Sequence, residues 1–438
     1  MTVFLFLTAV SIILAIRALV RMFTGRFVHP LDLATISTFY YAVPLAVAGY
    51  FRYNPREVVF LHAQAADPAI AFQSMLYASV AMTALLLGSQ TGKLFGRPRL
   101  GTYFELNEAG LPRAWLATGL LIGLIGLGIM QFGLGDFLRG YATESGEDDA
   151  TLGMALVYFS TGSIGLVVLY AVMLQRFLQR HELWLTIAAG FVIAIMVLLI
   201  RGKRLEIVTT FLPLGILLLA ARGRLKVAAW RAVLGAFGVI ALVAVAISRI
   251  NDQFELFNFN FYLLSEGLYA GHALPGIIGR LNGGMLDYEY GWRFLNSLLA
   301  FVPRFLWESK DDFVYAGNVA LEGVAPLGAS TFLAEVVLQG GMIAVVLVHF
   351  VLGLIFERAA RFEAVWDAAV LSGKIPGRFL VYIILTAIFI PHFRDGIVPA
   401  IKLSLQAGVF LAILVGLRRT PVVVGSAENI APPALRTT

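Results

Sequence analysis

The chain of 438 residues lacks cysteine and has few charged residues, and each shortage excludes a class of protein. Without cysteine, the chain forms no disulfide, no thiolate metal site and no cysteine nucleophile. Charged residues make up 14% of the sequence, against about 25% in soluble domains. Apolar residues reach 59%, against about 45–50%. This composition excludes a soluble protein and predicts an all-α, polytopic integral membrane protein, because helices satisfy their own backbone hydrogen bonds in lipid.

About 11 stretches of the sequence are long and apolar enough to span a membrane, and the tenth is short enough to be part of a broken helix. They are residues 3–20, 33–50, 70–90, 114–132, 153–174, 183–200, 205–221, 228–247, 331–356, 379–390 and 397–417. The first stretch lacks the basic start and the cleavage site of a signal peptide, so we predict a retained span. The predicted divisions are helices one to eight (1–247), a large loop (248–330), helices nine to eleven (331–417) and a tail (418–438).

The distribution of basic residues predicts the orientation, since cytoplasmic loops are enriched in Lys and Arg. With the N-terminus outside and the C-terminus inside, the inner segments hold about 20 of the 33 basic residues and about 8 of the 27 acidic ones. The net charge of +6 is therefore a sign of topology and not of nucleic-acid binding. The same orientation predicts that the large loop and the tops of its flanking spans are extracytoplasmic.

The segment 248–330 is far longer than a connection between two spans requires, and long connections usually have a function or are disordered. Its many Phe, Tyr, Leu and Trp residues argue against disorder. Residues 292–307 are apolar with arginines at helical spacing, so we predict an amphipathic segment that lies in the outer interface or re-enters the membrane. The chain has no internal repeat and no Walker A or dinucleotide-binding glycine pattern, so ATP-driven transport has no support.

Some basic residues oppose the predicted topology, and these are candidates for ligand binding. Arg201, Lys203 and Arg204 lie between spans six and seven, at the predicted outer face. Three interpretations are open. The residues form a solvated turn, or the topology differs from the one predicted, or they bind an anion such as a lipid phosphate or pyrophosphate. Arginine suits the anion interpretation because its planar fork binds phosphate oxygens in a bidentate manner and keeps its charge when desolvated.

The same argument applies to Arg249, at the outer end of span eight, and to Arg394 between the last two spans. Ionisable residues beside spans usually line a cavity and do not face lipid. His392 is either a further binding residue or a hydrogen-bonded packing residue. Asp395 is a possible counter-ion of Arg394.

Glu335 lies one turn inside span nine, where a carboxylate can pair with an outer-face arginine or act as a base toward a sugar hydroxyl. His272, Asp287 and Glu289 in the large loop are alternative bases or structural residues. Arg280 is followed by Gly291 at the spacing Arg-x10-Gly, a pattern that also occurs after Arg204 but arises easily by chance. No cluster of His and carboxylate residues has metal-ligand spacing, so we predict no catalytic metal and no cofactor.

Residues 290–309 (YGWRFLNSLLAFVPRFLWES), followed by Lys310 and by residues 330–341 (STFLAEVVLQGG), resemble the signature of Wzy-type O-antigen or oligosaccharide repeat-unit polymerases. The resemblance covers about fifty residues in detail and the hydropathy profile of the whole chain. The matching residues are Gly291, Pro303, Arg304, Lys310, Ser330, Glu335 and Gly340. In such polymerases the Arg-x10-Gly pattern occurs in two large loops, whereas this chain has one, which puts its transfer to Arg204 in doubt.

This resemblance implies a membrane-embedded glycosyltransferase of the C type in the bacterial inner membrane, with its active site facing the periplasm. The donor would be a glycan on undecaprenyl pyrophosphate, and the acceptor a repeat unit on the same lipid. The resemblance implies a metal-independent, inverting displacement in which undecaprenyl pyrophosphate leaves. The other partners compatible with the resemblance are membrane lipid and a chain-length-regulating membrane protein.

The candidate site residues divide into two sets by the chemistry that each would supply. Developing charge on a pyrophosphate leaving group is stabilised by fixed cations, and the acceptor hydroxyl needs a base. The candidate bases are Glu335, His272 and Asp287. The candidate binding residues for pyrophosphate or glycan are Arg201, Lys203, Arg204, Arg249, Arg280, Arg304, His392 and Arg394. Two other functions remain open at this stage: an O-antigen ligase, which uses the same donor, and a flippase or transporter of lipid-linked oligosaccharides, for which internal symmetry would be expected.

Overall fold

A computed structural model of the protein shows a bundle of helices with a small sheet at one end. It describes residues 1–53, 63–94, 103–105, 110–132, 163, 165–174, 212, 259–300, 302, 306–307, 309–314, 330–371, 374–415 and 419–420. The α-helices in this part are α1 Thr2–Thr24, α2 Pro30–Tyr50, α3 Pro68–Leu94, α4 Gly110–Phe132, α5 Gly165–Leu174, α6 Phe259–Gly271, α7 Ala273–Asn282, α8 Trp292–Leu299, α9 Lys310–Val314, α10 Phe332–Ala360, α11 Trp366–Leu371, α12 Gly377–Ile384 and α13 Ile397–Val415.

Six segments of the described chain are long and apolar enough to cross a membrane, so the prediction of a helical multi-pass membrane protein is confirmed at that level. These segments are Thr2–Thr24, Pro30–Tyr50, Pro68–Leu94, Phe332–Val365, Gly377–Arg394 and Ile397–Val415. Helices α4 and α5 fall on the fourth and fifth predicted spans. The predicted spans 183–200, 205–221 and 228–247 lie outside the described residues, so the total of about 11 stays a prediction.

Helices α3 and α10 form the central pair of the bundle, and glycine allows their backbones to touch. Gly88 of α3 lies against the carbonyl group of Phe350, and Gly353 of α10 lies against the carbonyl group of Leu85. An added Cβ atom at either glycine would collide with that backbone. Small residues at such crossings let helices pack closely in lipid, where dispersion contacts replace the hydrophobic effect as the source of stability.

Two membrane segments depart from a regular α-helix near one end of the bundle. Helix α10 has non-helical backbone angles at Gly340 and Gly341, and Gly341 (φ +60°) adopts a left-handed conformation that favours glycine. After α12, the chain continues as a π-helical turn, Leu385–Phe389, and a 3-10 turn, Pro391–Arg394. This irregular course agrees with the prediction of a broken tenth helix.

Polar clusters mark the two ends of the bundle. Glu335 lies in the first turn of α10 and Glu357 near its C-terminal end, so the two acids stand toward opposite ends of a segment long enough to cross the membrane. At the Glu357 end, the Ser89 hydroxyl donates to Glu357 Oε2 at 2.8 Å, and His29 Nε2 lies 3.5 Å from the same oxygen. A three-stranded antiparallel sheet closes this end, with strand β1 Tyr103–Glu105 between β2 Lys374–Pro376 and β3 Arg419–Thr420.

The predicted orientation gives a labelling experiment, because the chain has no cysteine of its own. Asp287 is exposed in the loop near the Glu335 end, and Glu363 is exposed near the Glu357 end. We expect Asp287→Cys to react with an impermeant maleimide in cells with a permeable outer membrane, and Glu363→Cys to react only after the inner membrane is broken. The opposite labelling pattern would reverse the orientation.

Candidate functional site

Glu335 lies in the first turn of α10, with 3% of its surface exposed, and the helix begins at a Thr331 cap whose hydroxyl accepts from the Ala334 amide at 3.4 Å. Both carboxylate oxygens accept hydrogen bonds from other segments. Arg293 Nη1 donates to Oε1 at 3.1 Å, and the Ile397 amide donates to Oε2 at 2.6 Å. One buried carboxylate therefore joins three parts of the chain.

Arg293 also binds a second carboxylate, that of Glu289. Its Nε and Nη2 donate to the two oxygens of Glu289 at 3.0 and 2.8 Å, the bidentate geometry that makes arginine–carboxylate pairs strong. Gln339 closes the arrangement, since its Nε2 donates to Glu289 Oε2 at 2.7 Å and its Oε1 accepts from the Arg293 amide at 3.3 Å. We call Glu289, Arg293, Glu335 and Gln339 the Glu335 cluster.

The large loop contacts α10 beside the break in that helix. Leu338 lies just before the non-helical residues Gly340 and Gly341. The Glu289 amide donates to the Leu338 carbonyl at 2.9 Å. Gly291 (φ +90°) then turns the chain into α8 so that Arg293 faces inward.

Gly396 completes the wall of the site, on the side of α13. Its backbone has φ +97°, and an added Cβ atom would collide with the carboxylate of Glu335. A glycine is therefore required for two reasons, the left-handed backbone and the contact. This contact lets the Ile397 amide, at the positive N-terminal end of α13, point at the carboxylate.

The Glu335 cluster contains two carboxylates and one guanidinium, so a single cation is shared between two anions. Burial raises the pKa of the Glu289 carboxyl, but the hydrogen bonds and charge of Arg293, with the Gln339 amide, outweigh it and hold the pKa below its ordinary value. Burial lowers the pKa of the Arg293 guanidinium, and the two carboxylates outweigh that effect and raise it. Arg293 thus favours the charged form of Glu289, and the two carboxylates favour the charged form of Arg293.

A second ion pair lies at the same end of the bundle. Arg394 Nε is 2.5 Å from Glu266 Oε1 of helix α6, an ion pair without hydrogen-bond alignment at Nε. Arg394 Nη1 lies 3.8 Å from Asp395 Oδ1, as the predicted counter-ion would require. The Arg394 side chain is 26% exposed, whereas that of Arg293 is 4% exposed, so Arg394 is the more accessible of the two cations.

Four other predicted site residues lie in the described chain. His272 is buried at the junction of α6 and α7, where its Nδ1 hydrogen-bonds the Leu268 carbonyl at 2.6 Å. His392 is buried in the same manner, with its Nδ1 2.6 Å from the Ile388 carbonyl. Asp287 is exposed, and Arg280 is partly buried at the end of α7.

The predicted binding residues Arg201, Lys203, Arg204, Arg249 and Arg304 lie outside the described residues. The structure adds others that the sequence argument did not select: Arg293, Gln339, Gly396 and Glu266. One signal was present in the sequence: Glu335 and Gln339 are four residues apart, and this spacing places side chains together on a helix. Glu289 and Arg293 are also four residues apart, but Glu289 lies in the loop before α8. For Gly396 and Glu266 the sequence carried no local signal.

In the part of the chain that the structure describes, no three His, Asp or Glu side chains are placed to hold a metal ion. The Glu335 cluster can instead bind or move a proton. A carboxylate offers about four lone-pair positions, and the hydrogen bonds from Arg293 and from the Ile397 amide use one on each oxygen of Glu335.

The fold and the site define a multi-pass helical membrane protein with a buried arginine–carboxylate cluster at one end of its bundle. Comparison with protein-family models, with curated proteins and with solved structures gives no match to the chain.

Proposed function

We propose that the protein is a membrane glycosyltransferase that joins undecaprenyl-pyrophosphate-linked oligosaccharide repeat units into a polysaccharide. The observation that carries the proposal is that the two separate parts of the polymerase-like sequence signature meet. Arg293 of the first part donates to the Glu335 carboxylate and to the Gln339 side-chain oxygen of the second. Arg293 and Glu335 are 42 residues apart, so their contact is not a consequence of proximity in the sequence. A shared site would account both for this contact and for the resemblance of the two segments to one family.

The proposed reaction is a single displacement at the anomeric carbon of the donor glycan. A hydroxyl at the non-reducing end of the acceptor attacks this carbon and gives its proton to a base, while the bond to undecaprenyl pyrophosphate breaks and the diphosphate keeps the electron pair. Glu335 is the proposed base, because its carboxylate retains acceptor positions. The anomeric configuration inverts.

Arg394 is the proposed contact to the diphosphate in the described chain, because it is the more exposed of the two arginines. Its present partner, Glu266, would have to be exchanged for phosphate oxygens, which arginine binds in a similar bidentate geometry. Arg201, Lys203 and Arg204 are proposed for the same role from the sequence alone. Fixed cations of this kind stabilise the charge of a leaving diphosphate without requiring a metal.

The test is the length distribution of the surface glycan in a strain that lacks the protein. We expect single-repeat caps and no ladder, with the ladder restored by the wild-type gene. An intact lipid-linked ladder that never reaches lipid A would identify a ligase. Accumulation of single repeat units on the cytoplasmic side of the membrane would identify a flippase. Either of these two results would refute the proposed polymerase.

A further inference from the structure

Helix α8 has the reverse of the polarity expected for a helix on the surface of a soluble protein. Its polar side chains face inward, with Arg293, Asn296 and Ser297 exposed by 4%, 5% and 0%. Its large apolar side chains face outward, and Trp292, Leu295 and Leu298 are exposed by 52%, 56% and 52%. A soluble surface helix buries its apolar stripe instead.

The position of α8 places this apolar face at the level where the membrane segments end. Arg293 bonds to Glu335 in the first turn of α10, and Ala300 after α8 is buried with Val398 in the first turn of α13. Both α10 and α13 are long and apolar enough to cross the membrane. Helix α8 therefore lies at the level of the first turns of two spans.

Aromatic side chains surround the exposed face. Trp292 packs edge to face on Phe313 with ring centroids 6.0 Å apart, and Trp307 lies 5.6 Å from the same ring. Tyr290, immediately before the helix, is 83% exposed. Trp and Tyr are enriched where a membrane protein crosses the boundary between acyl chains and water, since their rings have an apolar body and a polar edge.

We infer that α8 lies in the membrane interface, with Trp292, Leu295 and Leu298 among the phospholipid acyl chains of the leaflet at the Glu335 end. Leaving this patch in water would expose large apolar side chains without a compensating contact. Acyl chains of the bulk bilayer fit better than one bound lipid tail, because each of the three side chains is about half exposed on an outward helix face. The inference concerns how the helix is held and does not depend on the proposed reaction.

This arrangement links the lipid to the Glu335 cluster within two consecutive residues. Trp292 faces the lipid and Arg293 faces Glu335. Insertion of the apolar face thus fixes the depth and rotation of α8, and with them the position of the guanidinium. A helix with a polar inner face and an apolar outer face has one stable orientation at an interface.

Single cysteines in the cysteine-free chain, carrying a nitroxide label, test the inference in phospholipid nanodiscs without any polyprenyl lipid. The measured quantity is the ratio of accessibility to oxygen, which concentrates in acyl chains, over accessibility to a water-soluble nickel chelate. We expect Leu295→Cys and Leu298→Cys to give ratios close to that of Ile13→Cys on the exposed face of α1, and several-fold above that of Asp287→Cys. Unchanged melting temperatures confirm that the labelled variants fold.

Ratios at the two α8 positions that match Asp287→Cys would overturn the inference, because the face would then lie in water. A second addition separates phospholipid from the lipid tail of a substrate. If the α8 positions become shielded from the nickel chelate only after undecaprenyl phosphate is added, the occupant is that tail, and the assignment to bulk acyl chains is wrong. Ratios that are high before the addition and unchanged by it support the inference.

Discussion

Replacing Arg293 with methionine should destabilise the folded protein by about 3–5 kcal/mol, because the change leaves the buried Glu335 carboxylate and the partly buried Glu289 carboxylate without their cation. Glu335 would lose the donor to Oε1, and Glu289 would lose both bonds of a bidentate pair. Methionine fills a similar volume, so the effect reports charge and hydrogen bonding and not a cavity. The measurement is unfolding by denaturant or heat in detergent.

Arg26→Met is the matched control for this variant. Arg26 also makes a bidentate pair, with Asp367 at 2.7 Å for both contacts, but the Asp367 side chain is 69% exposed. An exposed pair of this kind contributes about 0–1 kcal/mol. Similar losses in the two variants would contradict the assignment of Arg293 as the cation that neutralises buried carboxylates.

The pH dependence of stability gives a second readout for the same variant. The pKa of Glu289 is held below its ordinary value of 4.5 in the folded protein. Its contribution to stability is therefore complete above the unfolded pKa and is lost as the pH falls through the folded pKa. Arg293→Met removes the cation that lowers this pKa, so the acid-induced loss of stability that arises from Glu289 should shrink.

Replacing Glu335 with glutamine should reduce turnover by about 10²–10⁴-fold if Glu335 is the base, the range expected for removal of a general base. The substitution also has a structural cost that the geometry makes clear. Both Glu335 oxygens accept hydrogen bonds, from Arg293 and from the Ile397 amide. A glutamine has one acceptor oxygen, so its amino group would face one of these donors. The assay is elongation of lipid-linked repeat units by purified protein, beside a measurement of melting temperature.

Glu289→Gln separates a base from a structural carboxylate, because Glu289 belongs to the same cluster but does not touch Ile397. If Glu335 takes the acceptor proton, Glu289→Gln should keep most of the turnover, and only Glu335→Gln should abolish the acid limb of the pH–rate profile. If Glu335 is purely structural, both variants should lose activity in step with stability. A folded Glu335→Gln variant with near-normal elongation would move the base to His272 or Asp287, and of these Asp287 is exposed while His272 is buried.

Local sequence information does not show which acid of the loop, Asp287 or Glu289, contacts the buried arginine. The two acids are neighbours in one loop and have the same chemistry, and the sequence argument gave Asp287 the higher rank. The structure places Glu289, and not Asp287, against Arg293. The Glu289 amide also donates to the Leu338 carbonyl of the distant helix α10, beside the break at Gly341. No periodicity in the loop predicts this contact.

The pairing of Glu335 with an arginine was predicted as one of its two roles, and the structure contains such a pair. The identity of the arginine was not predicted. The arginines predicted from the sequence are mostly ones that oppose the positive-inside rule. Arg293 lies in an amphipathic segment of a long loop, where a basic residue is not unusual. What distinguishes Arg293 is its burial against two carboxylates. Burial depends on how the helices pack, which the charge pattern does not reveal.

The sequence by itself determined the class of this protein and the position of the spans that the structure describes. Hydropathy is a local property: about 20 apolar residues must form a helix in lipid, whatever surrounds them. Only the tertiary structure decided which polar groups meet at the end of the bundle. Arg293 and the Ile397 amide meet at the Glu335 carboxylate. Gly396 has a left-handed backbone there and contacts the carboxylate so closely that an added Cβ atom would collide with it. Such contacts depend on the relative placement of distant segments, and a hydropathy pattern contains no information about that placement.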